Sequence, residues 1–316
     1  MPMDRRPTRT GGVSMGFLRN LQRPRYRKQS YNTIGRKKKK RIHIHYASRR
    51  HVVFVLVVVV AIAVFFGTFG YRYIPALNST SVSWGLYFRT PGDPPEPPPV
   101  GAQLLQQYKG LYIADTTQKT VYFTFDLGYE AGYTSETLDI LQTKKAHAVF
   151  FICGHYADNE EPLVRRMLAE GHSVGNHTAK HKDPTTLSMV DMQKDILDLQ
   201  HQFKEKYGAD MKFYRPPGGK FNEQNFVVAQ EYNLHPLLWS LAYTDWHQDR
   251  TIGKAEVQKI VMSRMHNGAI MLFHIVSADL PNSLPDIIDT LRAQGYTIGN
   301  PQDLLDFIET SPAPAQ

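Results

Sequence analysis

Short apolar runs alternate with amphipathic segments along the chain between residues 111 and 305. The apolar runs have the length of strands, whereas the amphipathic segments repeat apolar residues at helical spacing. The runs that predict strands are Val121–Asp126, Ala148–Cys153, Ser173–Gly175, Phe213–Arg215, Pro236–Ser240, Ala269–His274 and Tyr296–Ile298. The segments that predict helices are Thr134–Lys144, Glu161–Glu170, Val190–Lys206, Asn222–Glu231, Lys254–Met265 and Leu284–Gln294. This repeated order predicts an α/β domain built on a mainly parallel sheet or barrel.

Charge is distributed unevenly along the chain. The 316 residues carry 37 Lys and Arg against 29 Asp and Glu, a formal net charge of +8. Residues 1–50 contribute +15, whereas residues 51–316 sum to −7. The predicted α/β domain is therefore acidic, which argues against a nucleic-acid-binding function. The single cysteine, Cys153, excludes an internal disulfide and a multi-cysteine zinc site, and its place in the run AVFFIC predicts a buried thiol.

An uncharged apolar run covers residues 52–71, directly after the basic N-terminal segment. At about 1.5 Å per residue, a helix of this length spans a hydrocarbon core of about 30 Å. The excess of Lys and Arg before the run predicts a single-pass anchor, with residues 1–51 in the cytoplasm and the rest of the chain outside. A cleaved signal peptide followed by secretion is the alternative. The length of the run and the lack of a small-residue cleavage site after it favour the anchor.

Proline marks the segment between the predicted anchor and the α/β domain. Six of the ten residues 91–100 are proline, which predicts a stiff, extended spacer within a linker over residues 72–110. The α/β domain is then expected over residues 111–308, with residues 309–316 as a flexible C-terminus. The basic run RKKKKR at 36–41 lies close to the predicted anchor. Contact with anionic lipid or a role in topology is expected for it more than nucleic-acid binding.

Polar residues stand at the carboxyl ends of the predicted strands, where α/β folds collect their chemistry. These residues are Asp126, His177, His181, Arg215, Asp245 and His274. The two histidines at 177 and 181 are four residues apart, a spacing that brings two imidazoles to one side for a metal or an oxyanion. Each residue alone could instead be a cap, a surface ion pair or a core histidine. Their order at successive strand ends favours one shared site.

Five motifs occur in the order typical of the polysaccharide deacetylase family, also called the NodB-homology or carbohydrate esterase 4 family. They are TFDLGYE (124–130), HTAKH (177–181), RPPGG (215–219), DW (245–246) and MLFH (271–274). The chain therefore resembles this family. The resemblance implies a distorted (β/α) barrel that removes the N-acetyl group from an amino sugar in a polysaccharide, with the glycan strand as partner.

The resemblance also implies a role for each motif residue. Asp126 resembles the catalytic base, and Arg215 resembles the residue that orients it. His274 resembles the general acid, and Asp245 resembles the partner of that acid. The residues implied to bind substrate are Trp246, Tyr129, Pro217 and Leu272.

Leu127 departs from the family pattern. Most members have a second aspartate there as a metal ligand, and a leucine side chain cannot ligate a metal. His177 and His181, which resemble the metal-binding histidines, are then expected to bind a divalent ion such as zinc weakly, with water and substrate completing the site. Otherwise the two histidines are expected to act directly as hydrogen-bond donors.

The sequence around this departure, FDLGYEAGYT, resembles one branch of the family, and so does SVSWGLYF at 81–88. That branch comprises the sporulation enzymes that de-N-acetylate muramic acid in peptidoglycan, leading to muramic δ-lactam in spore cortex. N-acetylmuramic acid is therefore the implied substrate. Basic residues near the cleft, Lys180, Lys182 or Lys220, could meet its anionic lactyl group.

Two alternatives to this function remain. The first is a deacetylase of N-acetylglucosamine in peptidoglycan or chitin-type oligomers. The second is an inactive glycan-binding protein whose metal site has decayed, as Leu127 would suggest. The presence of both a candidate base, Asp126, and a candidate acid, His274, argues against the second, because binding alone requires neither.

Overall fold

The computed structural model describes residues 53–60 and 79–311. The chain divides into two units, Met1–Phe69 and Gly70–Gln316. In the first unit, residues 53–60 are helical and their apolar side chains are exposed. Neither described range contains a helix that combines the length and apolar character needed to cross a bilayer. The basic N-terminal segment, most of the predicted anchor over 52–71 and residues 312–316 lie outside the described residues. The expectations for these three segments therefore stay predictions.

The second unit is built around a curled parallel sheet. Its strands are β2 (Thr120–Leu127), β3 (Ala148–Ile152), β4 (Ser173–Asn176), β5 (Phe213–Tyr214), β7 (His235–Pro236), β8 (Ile270–His274) and β9 (Thr297–Ile298). They lie in the order β7-β5-β4-β3-β2-β8, with β9 beside the start of β2. After β7 the chain crosses to the opposite edge, where Leu241 forms a parallel bridge with Met271 of β8. The predicted α/β class with a parallel sheet is confirmed.

Nine α-helices occur within residues 79–311. They are α1 (Pro99–Gln107), α2 (Thr134–Thr143), α3 (Gly154–Asn159), α4 (Glu161–Ala169), α5 (Met189–Tyr207), α6 (Glu223–Glu231), α7 (Lys254–Ser263), α8 (Asp279–Ala293) and α9 (Pro301–Thr310). The six predicted helices are present, but α8 begins at Asp279 and not at Leu284. The reason is that Pro281 lies in the first turn of α8, where a proline removes no helical hydrogen bond. The sequence interpretation missed α1, α3 and α9.

Alternate residues of the central strands belong to two apolar clusters, because successive side chains of a strand point to opposite faces of the sheet. Phe123, Phe125 and Leu127 of β2 lie in the larger cluster, which includes buried apolar residues of every α-helix within residues 79–311 except α9. Tyr122 of β2 and Phe151 of β3 lie in the smaller cluster. The even-numbered residues of β2, which include Asp126, therefore face away from the helix-packed cluster.

Residues 79–110, expected to be part of a linker, contribute to the folded unit. Here β1 (Val82–Ser83) pairs antiparallel with β6 (Lys220–Phe221). The indole N–H of Trp84 donates to the Trp239 carbonyl oxygen at 3.0 Å, and α1 buries Leu104 and Leu105. The structure thus differs from the predicted boundary, because the apolar side chains of this segment find their partners in residues far along the chain.

We expect Gly175→Ala to lower the free energy of unfolding by about 1–3 kcal/mol, the usual cost of overpacking. A Cβ added at Gly175 would lie 2.6 Å from ring atoms of Phe151. Phe151 is fully buried and cannot move away freely. Urea unfolding measures the change. In the control Gly85→Ala, nothing lies within 4 Å of the added carbon, and its unfolding should match that of the unchanged protein. If the urea midpoint of Gly175→Ala equalled that of the control, the close packing of Gly175 against Phe151 would be contradicted.

Candidate active site

The predicted site residues converge at the carboxyl ends of the parallel strands. Asp126 of β2 and His274 of β8 are register partners on adjacent strands. His177 directly follows β4, and Arg215 directly follows β5. The backbone N–H of Arg215 still bonds to the neighbouring strand, donating to the Asn176 carbonyl oxygen at 2.9 Å. The backbone ladder therefore carries these four side chains to one edge of the sheet.

A buried ion pair joins Asp126 to Arg215. Arg215 Nη1 donates to Asp126 Oδ1 at 2.8 Å, and the arginine side chain is fully buried. Its Nε donates to the Leu237 carbonyl oxygen at 2.8 Å, and its Nη2 donates to the Leu238 carbonyl oxygen at 3.3 Å. The guanidinium carbon lies 4.0 Å from the Phe151 ring centroid. Arg215 is thus held on several sides, and it holds the Asp126 carboxylate in one orientation.

Asp126 is ionised at neutral pH. Burial alone would raise the pKa of its carboxyl group, but the charge of Arg215, with a smaller contribution from His274, lowers that pKa below the ordinary value. The net effect favours the carboxylate. Asp126 can therefore accept a proton from a water molecule, as a general base must.

His177 is neutral and has a defined tautomer. Its Nδ1 lies 2.8 Å from the Arg215 carbonyl oxygen, which can only accept, so Nδ1 carries the proton. Burial lowers the pKa of His177 to about 4, although the Asp126 charge opposes this. The lone pair of Nε2 therefore faces Asp126 Oδ2, 3.5 Å away. Of the two predicted uses of His177, hydrogen-bond donation fails for Nε2, because this nitrogen is an acceptor.

The second histidine of the motif, His181, is exposed and has a positive φ of 53°. Its ring stands edge-on to that of His177, with centroids 4.8 Å apart. No hydrogen bond from the His181 ring occurs within residues 79–311. The ring is therefore accessible to a bound ligand.

Asp245 and His274 form the second pair of the site. His274 Nδ1 lies 2.8 Å from Asp245 Oδ1, and the backbone N–H of His274 donates to Asp245 Oδ2 at 2.8 Å. Burial works against the charged imidazolium, but the hydrogen bond and charge of Asp245 outweigh it and raise the pKa of His274. His274 thus keeps a proton at higher pH than an ordinary histidine and can donate it as a general acid.

The four residues predicted to bind substrate fall into two groups. Trp246 and Tyr129 are exposed side chains at the rim, and the Trp246 ring stands edge-on to His274 with centroids 6.0 Å apart. Pro217 and Leu272 are buried, Pro217 in the 3₁₀ turn Pro217–Gly219 and Leu272 within β8. The first group can contact a glycan directly, whereas the second shapes the floor beneath it.

Thr124 supports the site, although the sequence interpretation assigned it no role. Its hydroxyl accepts from Arg215 Nη1 at 2.8 Å and donates to the Met271 carbonyl oxygen at 2.6 Å. The side chain therefore links Arg215 to β8. Its place two residues before Asp126, on the same face of β2, is the signal that could have found it.

Glu130 was also missed as a supporting residue. Its Oε1 accepts from the backbone N–H groups of Gly132 and Thr134, at 2.7 and 3.2 Å. Its Oε2 accepts from the Tyr156 hydroxyl at 2.9 Å. These bonds hold the loop that presents Tyr129 at the rim.

Of the three lysines considered for the lactyl group, Lys220 already has a partner, since its Nζ lies 2.8 Å from Asp183 Oδ2. Lys180 and Lys182 are exposed, and neither makes an ion pair within residues 79–311. Cys153 is buried as expected, and burial raises the pKa of its thiol, which disfavours a nucleophilic role.

Comparison with known proteins places this site in a family. The family model described as polysaccharide deacetylase matches residues 113–237. The chain is 33% identical over 231 residues to the peptidoglycan-N-acetylmuramic acid deacetylase PdaA of Bacillus subtilis, a match that covers 73% of this chain and 88% of that protein. The solved structure of PdaA, described as a family 4 carbohydrate esterase, superposes with a TM-score of 0.70 and 32% identity, covering 73% of this chain and 99% of that chain.

The chain belongs to the polysaccharide deacetylase family. A peptidoglycan-N-acetylglucosamine deacetylase of Bacillus cereus is also similar, 35% identical over 60% of this chain and 90% of that protein. The chain is thus a hydrolase of amide bonds, which agrees with a site that holds one ionised carboxylate and one imidazole whose pKa is raised.

The residues of this family member do not fit a complete three-ligand metal site. Within residues 53–60 and 79–311, no group of three or more His, Cys, Asp or Glu is arranged to hold a metal ion. The position of the usual second aspartate is Leu127, which is buried in the larger apolar cluster and faces away from Asp126. Two imidazoles remain as metal donors beside the Asp126 carboxylate.

We expect Leu127→Asp to raise the affinity for zinc by at least about 10-fold. Residues outside the ligand shell already contribute about 10–100-fold at metal sites, and a direct ligand should contribute no less. The new carboxylate must leave the apolar cluster to reach the imidazoles, so the metal-free variant should also unfold more easily. Isothermal titration calorimetry on the full-length chain measures the affinity, with Leu127→Asn as the control of similar shape. Tight stoichiometric zinc binding by the unchanged protein would refute the depleted-site interpretation.

We expect Asp245→Asn to move the alkaline limb of the pH profile of kcat/KM to lower pH. The acid form of His274 exists below its raised pKa and is lost as pH rises through that value. Removing the Asp245 charge lowers this pKa, so the loss begins at lower pH. Initial rates of acetate release across pH measure the shift. Asp249→Asn, at an exposed position of the same loop, is the control, and an unmoved limb in Asp245→Asn would exclude His274 as the acid.

Proposed function

We propose that the protein removes the N-acetyl group from N-acetylmuramic acid in peptidoglycan. The observation that carries the chemistry is the pairing of Asp126 with Arg215 beside the pairing of His274 with Asp245, on adjacent strands. The similarity to PdaA, named for N-acetylmuramic acid, supports the choice of sugar.

The hydrolytic water is activated by two acceptors. Asp126 Oδ2 and His177 Nε2 lie 3.5 Å apart, and both are acceptors at neutral pH. One water molecule that donates a hydrogen bond to each of them has a lone pair left to attack the acetyl carbonyl carbon. Asp126 then takes the proton of this water as a new C–O bond forms.

The tetrahedral intermediate decays by proton transfer to nitrogen. The exposed His181 imidazole is available to donate to the acetyl oxygen, which carries negative charge in this intermediate. His274 donates its proton to the amide nitrogen, the C–N bond breaks, and acetate and the free amine of the sugar are released. Asp245 stabilises the imidazolium form of His274 until this step.

Muramic acid carries a lactyl carboxyl group that N-acetylglucosamine lacks. The freed amine and this carboxyl group belong to the same sugar, so loss of water between them gives muramic δ-lactam. We propose that this lactam, in spore cortex, is the product to which the deacetylation leads. Deacetylation of N-acetylglucosamine is the second candidate, favoured by the 35% identity to the Bacillus cereus enzyme. Both candidates use the same acid and base and differ only in the sugar accepted.

We place this activity outside the cytoplasmic membrane, with residues 52–71 as a single-pass anchor. Charge supports this proposal, because residues 1–50 carry +15 and the remainder carries −7. The acidic remainder gains no general attraction to the anionic wall. Recognition of the glycan strand therefore depends on local contacts, such as those of Trp246 and Tyr129.

The test is to incubate the full-length chain with purified peptidoglycan strands, to measure released acetate, and to identify the deacetylated sugar in digested muropeptides by mass spectrometry. We expect acetate from N-acetylmuramic acid. We expect Asp126→Asn to lower the rate by about 10²–10⁴-fold, the usual contribution of a positioned base.

Asp198→Asn is the matched control, because this carboxylate is solvent-accessible and, among the residues that the structure describes, bonds only to Lys194. Acetate from N-acetylglucosamine alone would refute the assignment of the sugar and leave the deacetylase chemistry intact. Full activity in Asp126→Asn would refute the mechanism.

A further inference from the structure

The loop of residues 177–181, here called the histidine loop, has an unusual backbone. Thr178 has a φ of 65° and His181 has a φ of 53°. This left-handed region is unfavourable for residues other than glycine, and most of all for a β-branched residue such as threonine. Such a conformation persists only where surrounding contacts hold it.

Every backbone N–H from residue 178 to residue 181 has an acceptor at 2.9–3.0 Å. The acceptors, in chain order, are Asn176 Oδ1, the Asp195 carbonyl oxygen, Asp195 Oδ1 and Thr178 Oγ1. The two middle amides, of Ala179 and Lys180, therefore both donate hydrogen bonds to the same residue, Asp195. Three residues contribute these four acceptors, and Asp195 is the one of the three that lies outside both the loop and β4.

Asp195 occupies a position where an acid is costly. It lies in the middle of α5 and is 4% exposed, among apolar residues of the same helix such as Ile196 and Leu199. Burial raises the pKa of its carboxyl group, while the bond from the Lys180 amide opposes this. A buried carboxylate is unfavourable unless its hydrogen bonds compensate. Its Oδ1 accepts the Lys180 amide of the histidine loop, whereas its Oδ2 is buried without a hydrogen-bond partner among the described residues. The bond to the loop therefore compensates for only part of the cost of burial.

The opposite side of the loop rests on α3. The backbone N–H of Gly154 points to the carbonyl oxygens of Thr178 and Ala179, at 3.3 and 3.2 Å. A Cβ at residue 154 would lie 2.8 Å from the Ala179 oxygen. The loop is therefore clamped between the start of α3 and the middle of α5, with no room for a side chain on the α3 side.

We propose that Asp195 is a positioning residue of the deacetylase, which holds the histidine loop. Its backbone carbonyl oxygen accepts the Ala179 amide, and its side-chain Oδ1 accepts the Lys180 amide. It does not touch the reacting atoms. It acts through His181, whose ring it keeps 4.8 Å from that of His177 and at the site. This inference rests on the proposed roles of the two histidines in deacetylation but not on the choice of sugar.

The role depends on an acceptor atom and not on charge. Asparagine keeps an oxygen where Asp195 Oδ1 accepts from the Lys180 amide, whereas alanine removes it. The two variants therefore separate loop positioning from a general electrostatic effect. Asp198→Ala, on the same helix and at a solvent-accessible position, is the control for loss of a carboxylate.

The experiment measures kcat and KM for acetate release by the full-length chain, together with hydrogen exchange of the peptide that covers residues 177–182. We expect Asp195→Ala to lower kcat by about 10–100-fold, the scale of a small misplacement of a catalytic group, with KM changed less than about twofold. Hydrogen exchange should become faster in this peptide and stay unchanged in β2 and β8. Asp195→Asn should retain kcat within about threefold.

Three outcomes would overturn the proposal. They are an unchanged kcat in folded Asp195→Ala, unchanged exchange of the loop peptide, and a loss in Asp195→Asn equal to that in Asp195→Ala. If Asp195→Ala yields no folded protein, Gly154→Ala tests the loop from the other side and should lower kcat relative to Gly85→Ala. Equal kcat values in these two would also overturn it. Asp126→Asn, measured in parallel, reports separately on the proposed function.

Discussion

The buried pair of Asp126 and Arg215 is the constraint on which the rest of the site depends. Arg215 is fully buried, and a guanidinium in that position is tolerable only because its donors have acceptors on two segments of the chain. Those acceptors lie on β2 and on the chain that follows β7. Removing one partner of such a pair typically costs about 3–5 kcal/mol. The carboxylate of Asp126 therefore keeps one orientation. The same arginine links β2 to the chain that follows β7, at the far side of the sheet.

A second pair complements the first. Asp126 and His274 are register neighbours on β2 and β8, but their partners shift their pKa values in opposite directions. The cation beside Asp126 favours its deprotonated form, and the anion beside His274 favours its protonated form. One site thus holds a base and an acid at the same pH, which hydrolysis of an amide requires. The parallel sheet supplies the proximity, and the two counter-ions supply the protonation states.

Local sequence patterns predicted the central strands and six of the helices, because buried faces repeat with the period of each element. They failed for residues 79–110, where the proline run suggested a spacer although Trp84 and Leu105 pack into the fold. They also missed α9, although Asn300 and Pro301 form an ordinary helix start. Of the site, the principal motif residues were predictable. Asp195 lies in none of the five motifs, and the role of Thr124 within TFDLGYE depends on its contacts with Arg215 and Met271, which are distant in the chain.

The sequence by itself determined the alternation of strands and helices, the family, and which residues we propose as the acid and the base. It also determined that Leu127 offers no metal ligand, because this follows from side-chain chemistry alone. Only the tertiary structure decided that His177 Nε2 is an acceptor, since this depends on the Arg215 carbonyl oxygen 2.8 Å from Nδ1. Protonation and orientation are set by partners distant in the chain, and local sequence does not contain those distances.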